Sequence, residues 1–227
     1  KKFSKKPLTP KDFSCDKVVD KMQGVYIPFW LYSGNCEGSI TAEGINTRTW
    51  TSGNYRYTEK KYYSVYRNGT LDFKAVPVDA SSKTDDDAMD SIEPFDYSEM
   101  TAFNPGYLSG YLAERYDEDK DKCLPRAKER IENTTRDELR NTCNYNSVNV
   151  QSYEKHTEIK DVKYAMLPTW LLYTTYQDKP YFFAMNGQTG KFIGNLPISK
   201  GKLVAYSLLG GVGGYIIGAI LQIMGIF

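Results

Sequence analysis

Acidic side chains are concentrated in one stretch of the chain, residues 79–97, where an acid-base site could form. Asp79, Asp85 and Asp86 occur there together with Lys83 and Tyr97. Paired carboxylates can serve as general acid and general base in a hydrolase. The same residue types also fit the first turn of a helix, because acidic side chains stabilise the positive end of the helix dipole. The stretch therefore supports two interpretations, a catalytic site and a solvated helix start.

Two other motifs resemble ligand sites but are incomplete. Asp117, Asp119 and Asp121 alternate like the first ligands of a calcium loop, yet lysines stand where that loop needs its glycine and its closing glutamate. Residues 187–191, Gly-Gln-Thr-Gly-Lys, form only part of a phosphate-binding loop, and Phe192 occupies the hydroxyl position. We therefore predict a solvated loop and a hairpin turn at these two places.

Residues that could act as a nucleophile or bind zinc are also few. His156 is the single histidine and lies in a polar stretch, which indicates a surface residue. The four cysteines are far apart, without a Cys-x-x-Cys pair, and indicate unpaired thiols: Cys15, Cys36, Cys123 and Cys143. From these residues we expect no cofactor, no metal and no identifiable small-molecule substrate in this chain.

Aromatic residues are the most unusual part of the composition, with 19 Tyr, 10 Phe and 3 Trp. Between residues 50 and 67 they alternate with cations, as in a groove that stacks single-stranded nucleic acid. Alternating exposed and buried strand positions produce the same pattern, and the net charge of +1 offers little attraction to phosphate. We expect a possible interaction surface here, formed by Tyr55, Tyr57, Tyr62, Arg56 and Lys60.

The elements that would position these residues begin with a duplicated pattern. Pro-x-Trp-Leu occurs at residues 28–31 and again at 168–171, and each copy is followed by Asn-Gly, at 68–69 and 186–187. β-branched and aromatic residues dominate both regions, and Asn-Gly favours a tight hairpin turn. We predict two related antiparallel β units, with each proline at a strand edge or bulge and with Trp30 and Trp170 in the core.

Helix signals replace strand signals between these two units. Residues 85–91 predict a short helix that ends before Pro94, and Asn104 with Pro105 predicts a second helix reaching about residue 116. Apolar residues at helical spacing predict a long third helix over 121–143. The expected fold class is α+β, two antiparallel β units with a helical insertion between them and a transmembrane helix at the C-terminus.

The prediction of a transmembrane helix comes from residues 203–227, which contain no charged side chain. As a helix this segment would reach roughly 37 Å, and the hydrocarbon core is about 30 Å thick. Small residues recur on one helix face and predict an oligomerisation face, made of Gly210, Gly214, Gly218 and Gln222. Lys200 and Lys202 precede the segment, which predicts a single-pass membrane protein with its soluble domain in the cytoplasm.

Five longer strings resemble a bacterial family of TFIIB-type zinc-ribbon-containing membrane proteins, some of which carry a replication-restart helicase name. The strings lie at 24–31, 76–83, 93–97, 107–114 and 184–191, and the resemblance covers nearly the whole chain. The resemblance implies Cys-x-x-Cys zinc ribbons upstream of this region, in a part that would precede Lys1. Since no such pair is present here, the family's zinc is carried over to no residue.

These observations favour a non-catalytic, membrane-anchored interaction or assembly protein that associates with itself or with a protein partner. A membrane-associated hydrolase with an acidic site at residues 79–97 is the alternative, and a weak nucleic-acid-binding module is the third and least favoured. The expected organisation is a basic linker arm (1–22), a first β unit (23–83), a helical insertion (84–150), a second β unit (151–202) and a transmembrane segment (203–227).

Overall fold

A computed structural model describes residues 8–10, 13 and 22–223, except for the side chains of residue 212 and residues 216–223. Most of the predicted basic arm, with Cys15, lies outside these residues. Strands account for 50% of the structure and helices for 26%. The predicted α+β class is therefore wrong: the fold is mainly β, built on one curled sheet into which both copies of the duplicated pattern are incorporated.

The sheet has six strands in the order β2-β1-β4-β5-β6, with the short β3 running parallel to β1. All other neighbours are antiparallel. The strands are β1 (Gln23–Ser52), β2 (Tyr55–Asp79), β3 (Leu112–Ala113), β4 (Ser147–Tyr176), β5 (Lys179–Asn186) and β6 (Phe192–Gly194). The helices are α1 (Asp86–Ile92), α2 (Lys120–Asn141) and α3 (Lys200–Ile223), with 3₁₀ turns at Tyr97–Glu99 and Pro105–Leu108.

The two Pro-x-Trp-Leu copies lie side by side on β1 and β4, related by an approximate two-fold axis. Ile27 pairs with Leu167, so that Pro28 lies opposite Met166 and Pro168 lies opposite Tyr26. The carbonyl of Pro28 accepts from Ala80 N–H (2.9 Å), and that of Pro168 accepts from Gly187 N–H (2.8 Å). Ala80 and Gly187 follow directly on β2 and β5. Each proline thus lies where the neighbouring strand ends, as expected for a residue without a backbone N–H.

One of the two predicted Asn-Gly turns is wrong. Asn68 and Gly69 lie inside β2, paired with Ser39 and Gly38 of β1. The hairpin turns at Gly53-Asn54 instead, where Gly53 has a φ of 59° that a residue with a side chain rarely adopts. At the second site, Asn186 ends β5 and the chain turns through residues 187–191 into β6, which confirms the predicted turn there.

Helices cover both faces of the sheet. On one face, Ile27, Phe29 and Leu31 pack against Met89 and Ile92 of α1. On the other, α2 buries a row of residues at helical spacing: Cys123, Ala127, Ile131, Thr135 and Leu139. Trp30 and Trp170, predicted as core residues, are only half-buried, and Trp30 Nε1–H donates to the carbonyl of Glu118 (3.0 Å).

Of the three helices predicted between the β units, two are present and one is not. Asp85 caps α1, and α2 occupies nearly the predicted range, which confirms these two helices. The helix predicted from Pro105 to about residue 116 is a single 3₁₀ turn, although Asn104 caps it by accepting from Gly106 N–H (2.8 Å). Residues 112–113 form β3 instead, because they pair with β1.

The C-terminal tail is helical as α3, but the prediction of a transmembrane helix is wrong. Within the described residues, no helix combines the length and the apolar character needed to cross a bilayer. Helix α3 begins with two lysines, Lys200 and Lys202, and six of its 24 residues are glycine. Glycine adds no apolar side-chain surface. The predicted single-pass membrane location, with its cytoplasmic orientation, is therefore not supported.

The proposed oligomerisation face lies on α3. A Cβ atom added at Gly210 or Gly214 would meet no atom within 4 Å. Gly218 and Gln222 belong to the same helix, but their surroundings lie outside the described residues. Whether this face associates with another helix stays a prediction.

Candidate interaction surface

The β1–β2 hairpin extends beyond the rest of the sheet as a two-stranded ribbon, which we call the hairpin arm (residues 46–61). Pairing between β1 and β4 ends at Ile45 and Ser147, whereas β1 and β2 stay paired up to Ser52 and Tyr55. Every residue from 47 to 62 is exposed. Among the described residues, neither an α-helix nor a third strand covers the arm, so its side chains are open to solvent.

The base of the arm is held to the body by two asparagines. Thr47 N–H donates to the Asn146 carboxamide (2.8 Å), and Asn146 N–H donates to the Asn46 carboxamide (3.1 Å). Close by, the Tyr63 ring packs on the Tyr145 ring at a centroid distance of 5.1 Å. A free two-stranded hairpin is only marginally stable in water, so these contacts fix the direction in which the arm projects.

The aromatic face of the arm is built around a stacked pair. Trp50 and Tyr57 are cross-strand partners whose rings lie 5.6 Å apart and 14° from parallel. The Arg48 guanidinium lies 5.7 Å from the centre of the Trp50 ring, and Tyr55 is 71% exposed beside the turn. Strand alternation places all four side chains on one face. The face therefore offers flat aromatic area together with a cation.

The strand register divides the residues predicted to form one surface. Tyr55 and Tyr57 lie on the aromatic face, whereas Arg56, Lys60 and Tyr62 lie on the opposite face because they alternate with the first two. On that second face, threonines pair with the cations and with each other: Thr51 with Arg56, Thr49 with Thr58 and Thr47 with Lys60. The arm thus has an aromatic face and a hydroxyl-rich cationic face.

Positive charge exceeds negative charge on the arm. Its cations are Arg48, Arg56, Lys60 and Lys61, and its one acidic residue is Glu59. Lys61 lies 3.7 Å from Glu59, while within the described part of the chain neither Arg56 nor Lys60 has an ion-pair partner. In a chain of net charge +1, the arm is therefore a local concentration of positive charge.

The structure places the acidic residues at 79–97 in helix caps and ion pairs, with Asp79 and Asp86 on the same arginine, Arg126. Asp79 is buried and accepts from Arg126 (2.7 Å) and from the Thr84 hydroxyl (3.0 Å). Asp85 caps α1 by accepting from Asp87 N–H (3.3 Å). Of the other candidates, Lys83 lies 3.5 Å from Glu114, and burial raises the pKa of Tyr97 far above its ordinary value.

Two arginines of α2 bind the carboxylates instead. Arg126 also contacts Asp86 (2.9 Å) and Asp90 (2.7 Å). Arg130 donates to both carboxylate oxygens of Glu93, at 3.1 and 2.7 Å. Burial raises the pKa of Asp79 and of Glu93, while the arginine that binds each carboxyl acts in the opposite direction. These ion pairs tie α1 to α2, which gives the carboxylates a structural role.

The remaining motifs also have structural roles. The Asp117 carboxylate accepts from the N–H (2.8 Å) and the hydroxyl (2.6 Å) of Ser82, and Asp119 caps α2 by accepting from Lys122 N–H (2.8 Å). His156 is exposed on β4, and Cys36, Cys123 and Cys143 are buried free thiols. Within the described residues, no three metal-ligating side chains come together.

Residues 187–191, the phosphate-loop fragment, form a turn that Asn186 holds at the end of β5. The Asn186 carboxamide oxygen accepts from the backbone N–H of Gln188 (2.8 Å) and of Thr189 (3.0 Å). A phosphate cradle needs such amides to point at the ligand. In this turn the two amides are already used.

Sequence reasoning missed Trp50 and Arg48 as members of the aromatic face. The signal that identifies them is the alternation of side chains along a strand. Once the turn is placed at Gly53-Asn54, Trp50 lies opposite Tyr57, and Arg48, two residues earlier, lies on the same face. Ser-Gly-Asn in the sequence is itself a turn signal, but the Asn-Gly at 68–69 is a stronger one and diverted the prediction.

Comparison with known proteins gives one informative match. The chain is similar to the uncharacterized protein YdjG of Bacillus subtilis (strain 168), with 38% identity over 208 residues. The aligned region is 91% of this chain, and the chain spans 61% of that relative's length. No protein-family model matches the chain, and no solved structure matches it. The relative supports a shared fold over most of this chain.

Proposed function

We propose that this chain is a non-catalytic interaction protein that uses the hairpin arm to bind an acidic surface of a protein partner. The observation that carries the proposal is the stacked Trp50–Tyr57 pair, exposed beside Arg48 on a ribbon that the body of the protein leaves uncovered. Tryptophan, tyrosine and arginine are the residues most enriched at the energetic centres of protein interfaces. Here they are found together on one solvent-facing strip.

The arm suits binding because its shape exists before the partner arrives. Cross-strand pairing and the asparagine bonds at its base hold the ribbon in one conformation. Less side-chain and backbone entropy is then lost on association than for a flexible loop. The cations would add speed and selectivity of encounter, because charge complementarity acts mainly on the association rate.

Two alternatives have less support. For the hydrolase, the arginines of α2 hold the carboxylates of Asp79, Asp90 and Glu93, and the Asp85 carboxylate caps α1. Nucleic acid could lie on a cationic β-ribbon, but few cations on a chain of net charge +1 provide a weak electrostatic term. The resemblance to zinc-ribbon proteins and self-association through the glycine face of α3 stay predictions alongside the proposal.

The test is capture of a partner with paired charge variants. Tagged wild-type chain and Arg48→Glu/Lys61→Glu, which changes the two cations on the aromatic face, are used as baits in lysate of the native host. Nuclease treatment precedes the capture, and captured proteins are quantified by mass spectrometry. Binding of the purified partner is then measured directly. We expect at least a tenfold loss of affinity in the arm variant, and a similar loss in Trp50→Ser/Tyr57→Ser, because both charge and aromatic area are removed.

The matched control carries the same charge change elsewhere. Lys74→Glu/Lys160→Glu alters two exposed lysines on strands β2 and β4, outside the arm, and should bind within about twofold of wild type, because distant exposed charges are screened. Equal loss in the control, or full binding by the arm variant, contradicts the proposal. If the chain still shifts a single-stranded oligonucleotide in a gel at about 0.2 M salt, the partner is nucleic acid and not a protein.

A further inference from the structure

A groove lies along the outer edge of β4, away from the hairpin arm. β4 pairs with β5 only over Thr169–Tyr176, so the edge at residues 164–168 has no strand beside it among the described residues. The chain from Glu99 to Leu108 lies across from this edge and forms the opposite wall. The space between them measures about 510 Å³.

Strand register shows which backbone groups face the groove. Pro28 and Met166 are opposite one another, and the Pro28 carbonyl points away from β4 to accept from Ala80 N–H. The two residues are therefore a non-hydrogen-bonded pair, in which the backbone groups of both point outward. By the two-residue period, Tyr164 is oriented like Met166. Their N–H and C=O groups thus point into the groove, where no described residue bonds to them.

The wall opposite this edge is fixed in place before any ligand binds. Asp96 N–H donates to the Gln188 carboxamide (2.9 Å), which donates back to the Asp96 carbonyl (3.1 Å). At the far end, Asn104 caps the 3₁₀ turn and the Tyr111 ring packs on Tyr26 at 5.2 Å. The groove is therefore a formed feature of the fold.

The lining is apolar with one charge. Met100, Phe103 and Tyr107 stand at the rim with 45%, 64% and 53% of their surface exposed, and Tyr26 and Leu108 lie with them along the groove. Glu99 is the charged residue of the lining. The Gln188 amide donates to its carboxylate at 3.3 Å, which leaves acceptor capacity for a cation.

We infer that this groove binds an extended segment of a partner protein, which adds to β4 as a further strand. Free N–H and C=O groups at strand spacing call for a backbone that supplies the complementary groups at the same spacing, as only an extended chain does. Apolar walls call for apolar side chains at alternate positions. The carboxylate of Glu99 calls for a lysine or arginine in the same segment.

The experiment selects ligands from a phage-displayed library of random dodecapeptides, with the full chain as target. We expect the selected peptides to alternate apolar and polar residues and to carry a lysine or arginine. Selection of amphipathic helices, or of no shared pattern, overturns the inference. The best peptide, made synthetically, serves as the probe in all further steps.

Backbone N-methylation then tests strand addition without altering the protein. In an added strand, alternate amides face β4 and the others point away from it. N-methyl groups on one alternate set should weaken binding at least tenfold, and those on the other set should leave it within about threefold. Equal effects of both sets overturn the inference.

Two protein variants locate the site and separate it from the arm. Glu99→Gln should weaken the peptide's binding and abolish the effect of replacing its cation by glutamine, whereas Arg48→Glu/Lys61→Glu should bind the peptide like wild type. If Glu99→Gln binds the peptide like wild type, the groove is not the site at which the peptide binds. Failure of the arm proposal would leave these results unchanged.

Discussion

Asp79 and Asn186 occupy corresponding positions in the two halves of the sheet and hold opposite ends of helix α1. Each ends its strand, Asp79 opposite Phe29 and Asn186 opposite Thr169, next to one of the two prolines of the duplicated pattern. Both are buried, with 2% and 0% of their surface exposed. Asp79 binds the Thr84 hydroxyl just before α1, while the Asn186 amide donates to the carbonyls of Ile92 and Pro94 (both 3.0 Å) at its end.

Replacing Asn186 by alanine should lower the free energy of unfolding by about 2–4 kcal/mol, because buried carbonyls and turn amides lose their partner together. The variant leaves the carbonyls of Ile92 and Pro94 and the N–H groups of Gln188 and Thr189 without that side chain. Urea denaturation measures the change. Asn68→Ala is the control, since Asn68 is exposed on β2 and should shift stability by less than about 0.5 kcal/mol. Equal effects at the two positions would contradict the assigned role of Asn186.

Arg126→Met should be destabilising by about 3–5 kcal/mol, because it leaves the buried Asp79 carboxylate without its cation. The double variant Asp79→Leu/Arg126→Met should recover part of that loss, since the uncompensated charge is gone. Denaturant unfolding of the single and double variants gives the coupling free energy between Asp79 and Arg126. Arg136→Met removes a half-buried arginine whose ion-pair partner among the described residues is its neighbour Asp137, and it should have little effect. No recovery in the double variant would show that Arg126 acts through packing and not through charge.

Helices α1 and α2 were predictable because their signals are local. Asp85 and Asn104 cap turns through their own side chains, and the apolar spacing of Ala127, Ile131 and Leu139 needs only the period of a helix. The strands were harder, since a strand's length depends on its partner. Asn68-Gly69 has the chemistry of a turn, but pairing with Ser39 and Gly38 keeps it extended.

The chemistry of the predicted sites depended on contacts distant in sequence. Asp79 meets Arg126, and Asn186 meets Ile92, only because the sheet and α2 fold together. Because these contacts cannot be read from the sequence, the acidic residues at 79–97 resembled an active site. The arm residues were recognised by composition, yet their division into two faces followed from the position of the turn at Gly53.

Gly34→Ala should destabilise the sheet by about 1–3 kcal/mol or more, because Gly34 lies at the irregularity where β1 shifts register against β4. A Cβ there would lie 2.1 Å from the backbone carbonyl oxygen of Glu158, which cannot move without displacing β4. Gly69→Ala is the matched control in β2, where the added carbon would lie 3.5 Å from a Leu139 methyl, an ordinary contact. Thermal unfolding compares the two variants, and a control that unfolds as early as Gly34→Ala would contradict the steric explanation.

The Asp117 carboxyl should titrate below its ordinary pKa of 3.8, because the hydroxyl and the N–H of Ser82 both donate to the ionised form. A depressed pKa in the folded state means that the interaction contributes stability above the unfolded pKa and loses it as the pH falls through the folded value. NMR titration of the Asp117 carboxyl carbon measures this pKa directly. Ser82→Ala removes the hydroxyl donor but keeps the backbone N–H, so the pKa should move part of the way back towards 3.8. An unchanged pKa in Ser82→Ala would show that the hydroxyl does not hold the carboxylate in solution.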